Sequence, residues 1–532
     1  MVNKQKLVKS GMWQFANTFV IIVSQIVCNA IIARYVTKKE FGIMAITNAF
    51  VNFASFFSEA GMGDALMQRK DVEPQHKNAA LFFSLLVSVV MYLIMYATAP
   101  FIANWYNQPE LTDVLKVLGL SFIFLSLGSS SLNLLQKEFK FKQVFFSDSL
   151  SLLLSNILGV ILAMKGYGVW SLVYSILFYN IARLIMVWIM EPIPVFLGAT
   201  LRHWKDLFNY GVGLTLIRIY NFVSGFGIML EIGKLVPIAA LGTFERSYRI
   251  SNIPVRYLGD MIQKVMMPFM VKINDEEEKL YAFFSRGLSF SNALLLPISF
   301  FCIVFCKPIV LLLLGTKWLS AVLPMQILFF SLPFRITTKV SDALMRAKNL
   351  VFKNANRKLQ YVIVLCIAVY IGSFWDLKGI SIGVTLSAVF SYITMLITIR
   401  SKVFKKGWAT LIIQPFKNGA LLTVVSVAPS YLIYWLLLQV IDNEIIAFGV
   451  LCTLLGAFFS LVFFKMPSLL GSDFVALRKE LMKMKNKKGK NGKGKGGGGR
   501  KRRMQMEEGE ILPEVDETLT ASASNANEEL NG

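Results

Sequence analysis

Apolar stretches long enough to cross a bilayer recur fourteen times along the chain. They cover residues 11–35, 40–62, 78–103, 112–135, 144–164, 167–190, 206–232, 236–261, 281–306, 318–345, 359–375, 378–399, 411–438 and 443–465. A bilayer core takes about 20 predominantly apolar residues as a helix. Inside it the backbone has to satisfy its own hydrogen bonds, which leaves helices or closed barrels. The pattern predicts an all-α polytopic membrane protein of about 14 transmembrane helices. The second, eighth and tenth stretches are polar on one side. Composition agrees: of 532 residues 55% are apolar and 16% are charged, and mean hydropathy is +0.57. A soluble domain is about half apolar and a quarter charged, so a soluble chain and a largely disordered one are both excluded.

The chain has 55 Lys and Arg against 32 Asp and Glu, a net charge of +23. In a soluble protein such an excess would point to nucleic acid. Its location points elsewhere. Between Arg478 and Arg503 lie thirteen basic residues and a single acid, Glu480, so a local excess of twelve sits in one tail segment. The remainder falls mostly in the loops between apolar stretches. With the N-terminus placed in the cytoplasm, inward loops hold twenty-three basic residues and outward loops eight. The positive-inside rule then puts both termini in the cytoplasm. The first apolar stretch continues to about Tyr35, too long for a signal-peptide core. Residues 466–532 pass from Lys/Gly repeats to eight acids without a base, the composition of a disordered cytoplasmic tail that touches anionic lipid. The expected partners include membrane lipids and exclude nucleic acid.

Two parts of the chain align at an offset of 200: Gly11 with Gly211, Val23-Ser24 with Val223-Ser224, Val36 with Val236, Gly42 with Gly242 and Asn52 with Asn252. Each begins a helix pair of the same length. The expected organisation is an N-terminal lobe (1–190), a cytoplasmic inter-lobe loop (191–205), a C-terminal lobe (206–400), two further helices (401–465) and the tail (466–532). Two pseudo-symmetric six-helix lobes around a central site fit alternating access.

Polar residues inside the apolar stretches fall into stripes at helical spacing. Gln14, Asn17, Thr18, Gln25 and Asn29 share one face of the first stretch, and Asn48, Asn52, Ser55 and Glu59 one face of the second. In the eighth stretch Glu245, Arg246, Arg249, Arg256 and Asp260 lie within about 100° of one another. Arg335, Lys339, Asp342 and Arg346 form a stripe in the tenth; Arg218 and Asn221 mark the seventh, and Asp148, Ser151 and Ser155 the fifth. An ionised group facing lipid costs several kcal/mol, so such stripes should face a wet cavity or one another. Arg34, Arg286, Asp64, Asp342 and Arg346, near predicted ends, also fit structural or snorkelling charges. Three arginines on one face exceed what Glu245 and Asp260 neutralise, and guanidinium suits bidentate capture of phosphate. The expected cavity is therefore cationic, with Arg218, Arg246, Arg249, Arg256, Arg335 and Lys339 binding an anionic, bulky, amphipathic substrate. Gln14, Asn17, Gln25, Asn29, Asn48, Asn52 and Asn221 would line it. Glu59, Asp148 and Glu231 are candidates for coupling to an ion, although structural pairing would look the same.

Catalytic and cofactor motifs are absent from this reading. The histidines, His76 and His203, lack metal-ligand spacing. No Walker loop occurs. Cys28, Cys302, Cys306, Cys366 and Cys452 read as lone buried thiols. No cofactor, no metal and no enzymatic activity are expected.

Several segments resemble a known family. They are Phe41-Gly42; the run from Glu59 to Asp71 (EAGMGDALMQRKD); Ala99 to Tyr106 (APFIANWY), followed by Pro109; Gly166 to Trp170 (GYGVW); and Leu241 to Arg249 (LGTFERSYR). In combination, over about residues 1–465, they resemble the Wzx-type polysaccharide flippases, in particular the colanic-acid-exporter-like branch, of the multidrug/oligosaccharidyl-lipid/polysaccharide exporter superfamily. The resemblance implies two lobes, a bacterial inner membrane, and an undecaprenyl-pyrophosphate-linked oligosaccharide repeat unit as the substrate of O-antigen, capsule or exopolysaccharide export. A polysaccharide polymerase is a possible partner. Relatives in the superfamily carry cavity arginines early in the first two helices. Here those helices offer Gln, Asn and Glu59, so the pyrophosphate clamp is expected in the second lobe. The main rival is an ion-coupled drug or small-solute antiporter of the same superfamily, for which an acidic cavity would be expected. A membrane glycosyltransferase, polymerase or ligase is disfavoured by the short outward loops.

Overall fold

The structure is a computed structural model describing residues 4–59, 74–193, 225, 227–404 and 408–465. The first half contains α1 (Lys4–Tyr35), α2 (Lys38–Glu59), α3 (Pro74–Trp105), α4 (Glu110–Gly119), α5 (Ser121–Lys137), α6 (Phe141–Met164) and α7 (Val169–Met190). The second contains α8 (Ile228–Leu235), α9 (Ile238–Ser251), α10 (Ile253–Lys272), α11 (Glu277–Val304), α12 (Cys306–Leu313), α13 (Val322–Phe330), α14 (Leu332–Ala347), α15 (Val351–Gly372) and α16 (Asp376–Lys402). Helices α17 (Trp408–Val440) and α18 (Glu444–Lys465) follow. Met1–Leu455 form one compact unit, and Gly456–Gly532 a second, of which residues 456–465 are described as the end of α18.

The protein is a multi-pass helical membrane protein. Among the described residues, eight helical segments are long and apolar enough to cross a membrane, nine with the pair α13–α14, which is bent by 41°. One of the eight, Phe352–Lys402, is 51 residues long, far beyond the roughly 20 that a crossing needs. It doubles back at Asp376, whose φ is 51°. Gly372 then packs against Gly379, and Gly383 against the backbone of Ala368, so α15 and α16 run antiparallel. Helix α9, at 14 residues, is too short to cross by itself, and α10 carries Arg256, Asp260 and Lys264 along its length. The seventh expected span, 206–232, lies mostly outside the described residues.

The turns of the two halves match in backbone detail. Helix α5 ends through Glu138 (φ −83°, ψ 5°), Phe139 (φ 58°) and Lys140 (φ −81°, ψ 45°). Helix α14 ends through Lys348 (φ −82°, ψ 8°), Asn349 (φ 55°) and Leu350 (φ −88°, ψ 39°). In both, the last residue's N–H reaches back to a carbonyl five positions earlier: Lys140 to Leu135 at 2.9 Å and Leu350 to Met345 at 2.8 Å. Gly168 just before α7 and Asp376 at the first position of α16 likewise share an unusual left-handed φ, 54° and 51°. Helices α1 and α2 meet at residues 35–38, and α8 and α9 at 235–238.

The halves meet reciprocally at these junctions. Gly42 on α2 lies against the backbone of Ile238 on α9, and Gly242 lies against the backbones of Lys38 and Gly42. Residue 42 thus meets 238 while 242 meets 38, the exchange that a two-fold axis demands. Only a residue without a side chain permits this approach, the usual device where helices cross closely in membranes. A buried cluster seals the same end. The Trp318 indole N–H donates to Ala33 O at 2.9 Å, and its ring stands edge-on to Phe41 at 5.4 Å. Replacing Gly242 by Val should therefore force the helices apart and destabilise the fold by about 1–3 kcal/mol or more, whereas Gly449→Ala, where a Cβ meets nothing within 4 Å, should be neutral. Thermal unfolding in detergent checks both.

Candidate functional site

Helices α1, α2, α9 and α10 enclose a cavity of about 730 Å³, within the ~300–1,000 Å³ range of small-molecule sites. Gln25 and Asn29 reach it from α1, Asn48 and Asn52 from α2, and Glu245, Arg246, Tyr248 and Arg249 from α9. Asn252, Arg256 and Tyr257 complete the polar wall. Spacings of three and four residues put each set on one helical face. Pro254, in the first turn of α10, cannot donate to the preceding turn. The chain breaks at Asn252, and Arg256 opens the second segment onto the cavity. The lining pairs residues 200 apart: Gln25 with Gly225, Asn29 with Met229, Ala45 with Glu245, Asn48 with Tyr248 and Asn52 with Asn252. The cavity lies on the axis that relates the two junctions.

Its charge is one-sided. Glu245 and Arg246 are buried, with side chains only 7% and 6% exposed. Arg246 Nε donates to Glu245 Oε2 at 2.6 Å, its Nη1 donates to Asn29 Oδ1 at 3.0 Å, and its guanidinium lies 4.1 Å from the Phe41 ring centre. Arg249 Nε donates to Glu245 Oε1 at 2.7 Å while 49% of its side chain remains exposed. Arg256 is exposed, rests 5.7 Å from the Tyr257 ring centre and makes no ion pair among the described residues. Arg246 and Arg249 share the Glu245 carboxylate and Arg256 has no acid of its own, so among the described residues two positive charges remain; the side chain of Asp260 lies outside them. Arg246 is held inside the wall, while Arg249 and Arg256 are the groups presented to a ligand.

Other expected site residues fall elsewhere. Arg335 stands behind the wall, donating from Nη2 to Tyr248 Oη at 3.1 Å and to Asn252 Oδ1 at 2.9 Å. It orients two lining residues instead of lining the cavity. Lys339 packs against Gly259 on α10, outside the lining. Asn17 is turned away towards α6, where its Nδ2 donates to Asp148 Oδ2 at 3.1 Å. Asp148 also takes Arg183 Nε at 2.7 Å. It is thus a neutralised partner in the packing of α1, α6 and α7, not a cavity acid. Gln14 is exposed on α1 beyond the cavity. Glu231, on α8, has one buried carboxylate oxygen without a hydrogen-bond partner among the described residues and does not line the cavity. Arg218 and Asn221 lie outside the described residues, as does the side chain of Glu59. Asp342, expected as an end charge, is buried and takes Arg357 Nη2 at 2.8 Å.

Tyr248, Tyr257 and the backing role of Arg335 were not apparent as site features. The spacing of Tyr248 and Asn252 from Glu245 was their available signal. Arg183 stands alone in an apolar run and gave none. Among the described residues no group of His, Cys, Asp or Glu is arranged to hold a metal ion.

Matched halves around a charged internal cavity define a multi-pass membrane transporter. The chain belongs to the polysaccharide biosynthesis protein family, whose pattern matches residues 31–323. It is 22% identical over 404 residues to an uncharacterized membrane protein in the cps region of Klebsiella pneumoniae, covering 74% of this chain and 83% of that one. It is 23% identical to the lipopolysaccharide biosynthesis protein WzxC of Escherichia coli (strain K12), over 61% of this chain and 66% of the relative. The fold is shared with the lipid II flippase MurJ in an inward closed conformation (TM-score 0.65, 15% identity, 85% of this chain and 99% of MurJ). It is shared also with an inward-facing multidrug resistance MATE family transporter (TM-score 0.57, 14% identity, 73% and 96%). The expected kinship with polysaccharide biosynthesis proteins is thus found, and the fold is one shared with these two transporters.

Removing one partner of a buried ion pair costs about 3–5 kcal/mol. Glu245→Gln should accordingly lower the unfolding temperature sharply by stranding Arg246, while Arg249→Ala, half in water, should cost no more than about 1 kcal/mol. Thermal denaturation of the two purified variants distinguishes these outcomes.

Proposed function

We propose that this chain flips a lipid-linked oligosaccharide, built on a polyprenyl pyrophosphate, across the bacterial inner membrane by alternating access. The observation that carries the reading is the excess, among the described residues, of two positive charges at Arg249 and Arg256, on a cavity in a member of the polysaccharide biosynthesis protein family. A guanidinium about 5 Å from a unit charge contributes about 3 kcal/mol at an effective dielectric constant of 20. That attracts a pyrophosphate and repels a cationic drug by a similar amount. The sign of the cavity thus favours the anionic lipid over the drug-antiporter reading. It also argues against an enzyme, since among the described residues the one carboxylate of the lining, Glu245, is held in ion pairs by Arg246 and Arg249.

In this account 1–190 and 206–400 act as the two lobes, 191–205 links them, 401–465 adds two helices, and 466–532 is a cytoplasmic tail. The matched turns and the reciprocal Gly42/Gly242 contact support the division. Both termini face the cytoplasm, so the junction at residues 35–38 and 235–238 is the periplasmic end, closed here. The pyrophosphate and its sugars enter from the cytoplasmic leaflet, and the isoprenoid tail stays in lipid. Parting of α2 and α9 opens the cavity outward. An inside-negative potential assists, worth about 2.3 kcal/mol per anionic charge per 100 mV. The released unit goes to a polysaccharide polymerase.

The double variant Arg249→Ala/Arg256→Ala should abolish surface polysaccharide, measured by immunoblot of extracted polymer, with normal amounts of protein in the membrane. Polymer at the wild-type level in that strain would contradict the proposal.

A further inference from the structure

The two repeats contribute chemically different walls to one cavity. Glu245, Arg246 and Arg249 on α9 correspond, 200 positions earlier, to Ala45, Ile46 and Ala49 on α2. Among the described lining residues the charge is thus confined to the second repeat. The first repeat instead presents Gln25, Asn48 and Asn52.

We propose that these three amides form a carbohydrate subsite that reads the hydroxyls of the sugar next to the pyrophosphate; this rests on the function proposed above and extends it. The amides of the cavity divide by what they are already bonded to. Asn29 gives its carbonyl to Arg246 and its Nδ2 to Gln25 O at 2.6 Å. The Asn252 carbonyl is occupied by Arg335. Those two are committed to holding arginines. The side chains of Gln25 and Asn48 have no hydrogen-bond partner among the described residues, and Asn52 uses only its Nδ2, on Asn48 O at 2.6 Å. Amides within a membrane protein need partners, and these face a space with room for a ligand. An amide both donates and accepts. Hydroxyls do the same, whereas a phosphate only accepts. Neutral amides, with no carboxylate among the described residues that line this side, therefore suit a sugar better than a second anion or a metal ion.

The arrangement gives the ligand two anchors on two halves. The pyrophosphate is held by α9 and α10, and the first sugar by α1 and α2. Selection among glycans then resides in the first repeat, and affinity for the shared lipid anchor resides in the second.

The test uses the full chain in detergent and four synthetic probes: farnesyl pyrophosphate, and the same lipid carrying glucose, galactose or N-acetylglucosamine. Binding is measured by microscale thermophoresis. The wild type should bind at least one glycosylated probe tenfold or more tightly than farnesyl pyrophosphate. In Asn52→Leu, and in the separate variant Gln25→Met/Asn48→Leu, that preference should fall below threefold, with affinity for farnesyl pyrophosphate changed less than twofold. Retention of the preference in both variants, equal weakening of all probes, or no sugar preference in the wild type would overturn the subsite. Farnesyl pyrophosphate binding that is undetectable, or indifferent to Arg249→Ala/Arg256→Ala, would instead overturn the flippase reading, and the subsite with it.

Discussion

Glu245 is buried in a helix that contributes to a membrane transporter, and two guanidinium groups, those of Arg246 and Arg249, hold it there. A lone carboxylate in that setting would be too costly to keep ionised, and so would a lone buried arginine. Each makes the other tolerable, but the stoichiometry is unequal. One acid serves two bases, and Arg256 on the next helix adds a third base that has no acid partner among the described residues. The surplus positive charge is tolerable because Arg249 and Arg256 reach a wet space. The cavity, the charge and the exposed positions of these two side chains are one solution to a single solvation problem.

The same helix supplies the contact on which the halves turn. Gly242 lies one turn before Arg246 and meets Lys38 and Gly42 across the axis. The closed end and the charged wall are therefore consecutive turns of α9. A motion that separates α9 from α2 at the glycines moves the arginines with it, and leaves the amide wall on α1 and α2 behind. In a transporter of two rocking halves, this places recognition and gating on one rigid element. No long-range relay is needed between them.

Much of this was legible in the amino-acid order because the bilayer imposes hard rules. A crossing helix must be about 20 apolar residues, so the multi-pass helical class could be read directly; among the described residues eight segments, nine with the bent pair, meet that length and apolarity. Polar groups must share a face, so Asn48 with Asn52, and Arg246 with Arg249 and Arg256, were identifiable from their spacing. The offset of 200 was visible at Gly42 and Gly242, though not that these glycines touch. What spacing cannot supply is the identity of the helix that packs on each face. Arg335 and Lys339 share a face with each other, yet α9 and α10 come between them and the cavity. Asn17 and Gln25 share a face of α1, yet one turns to Asp148 and the other to the cavity. Asp148 and Arg183, thirty-five residues apart, find each other only through the packing of α6 on α7. Facial patterns follow from local geometry. Partnership follows from tertiary packing, which the pattern on a single helix does not encode.

The central claim is that an anionic lipid head group is held at the two surplus guanidinium groups on the second repeat. The most direct measurement is a cryo-EM structure of the full chain in a lipid nanodisc containing undecaprenyl pyrophosphate. The account predicts density for both phosphates inside the cavity, with phosphate oxygens within hydrogen-bonding distance of Arg249 and Arg256 and the isoprenoid chain leaving between helices into the bilayer. Phosphates bound elsewhere, with the cavity holding only water, would contradict it.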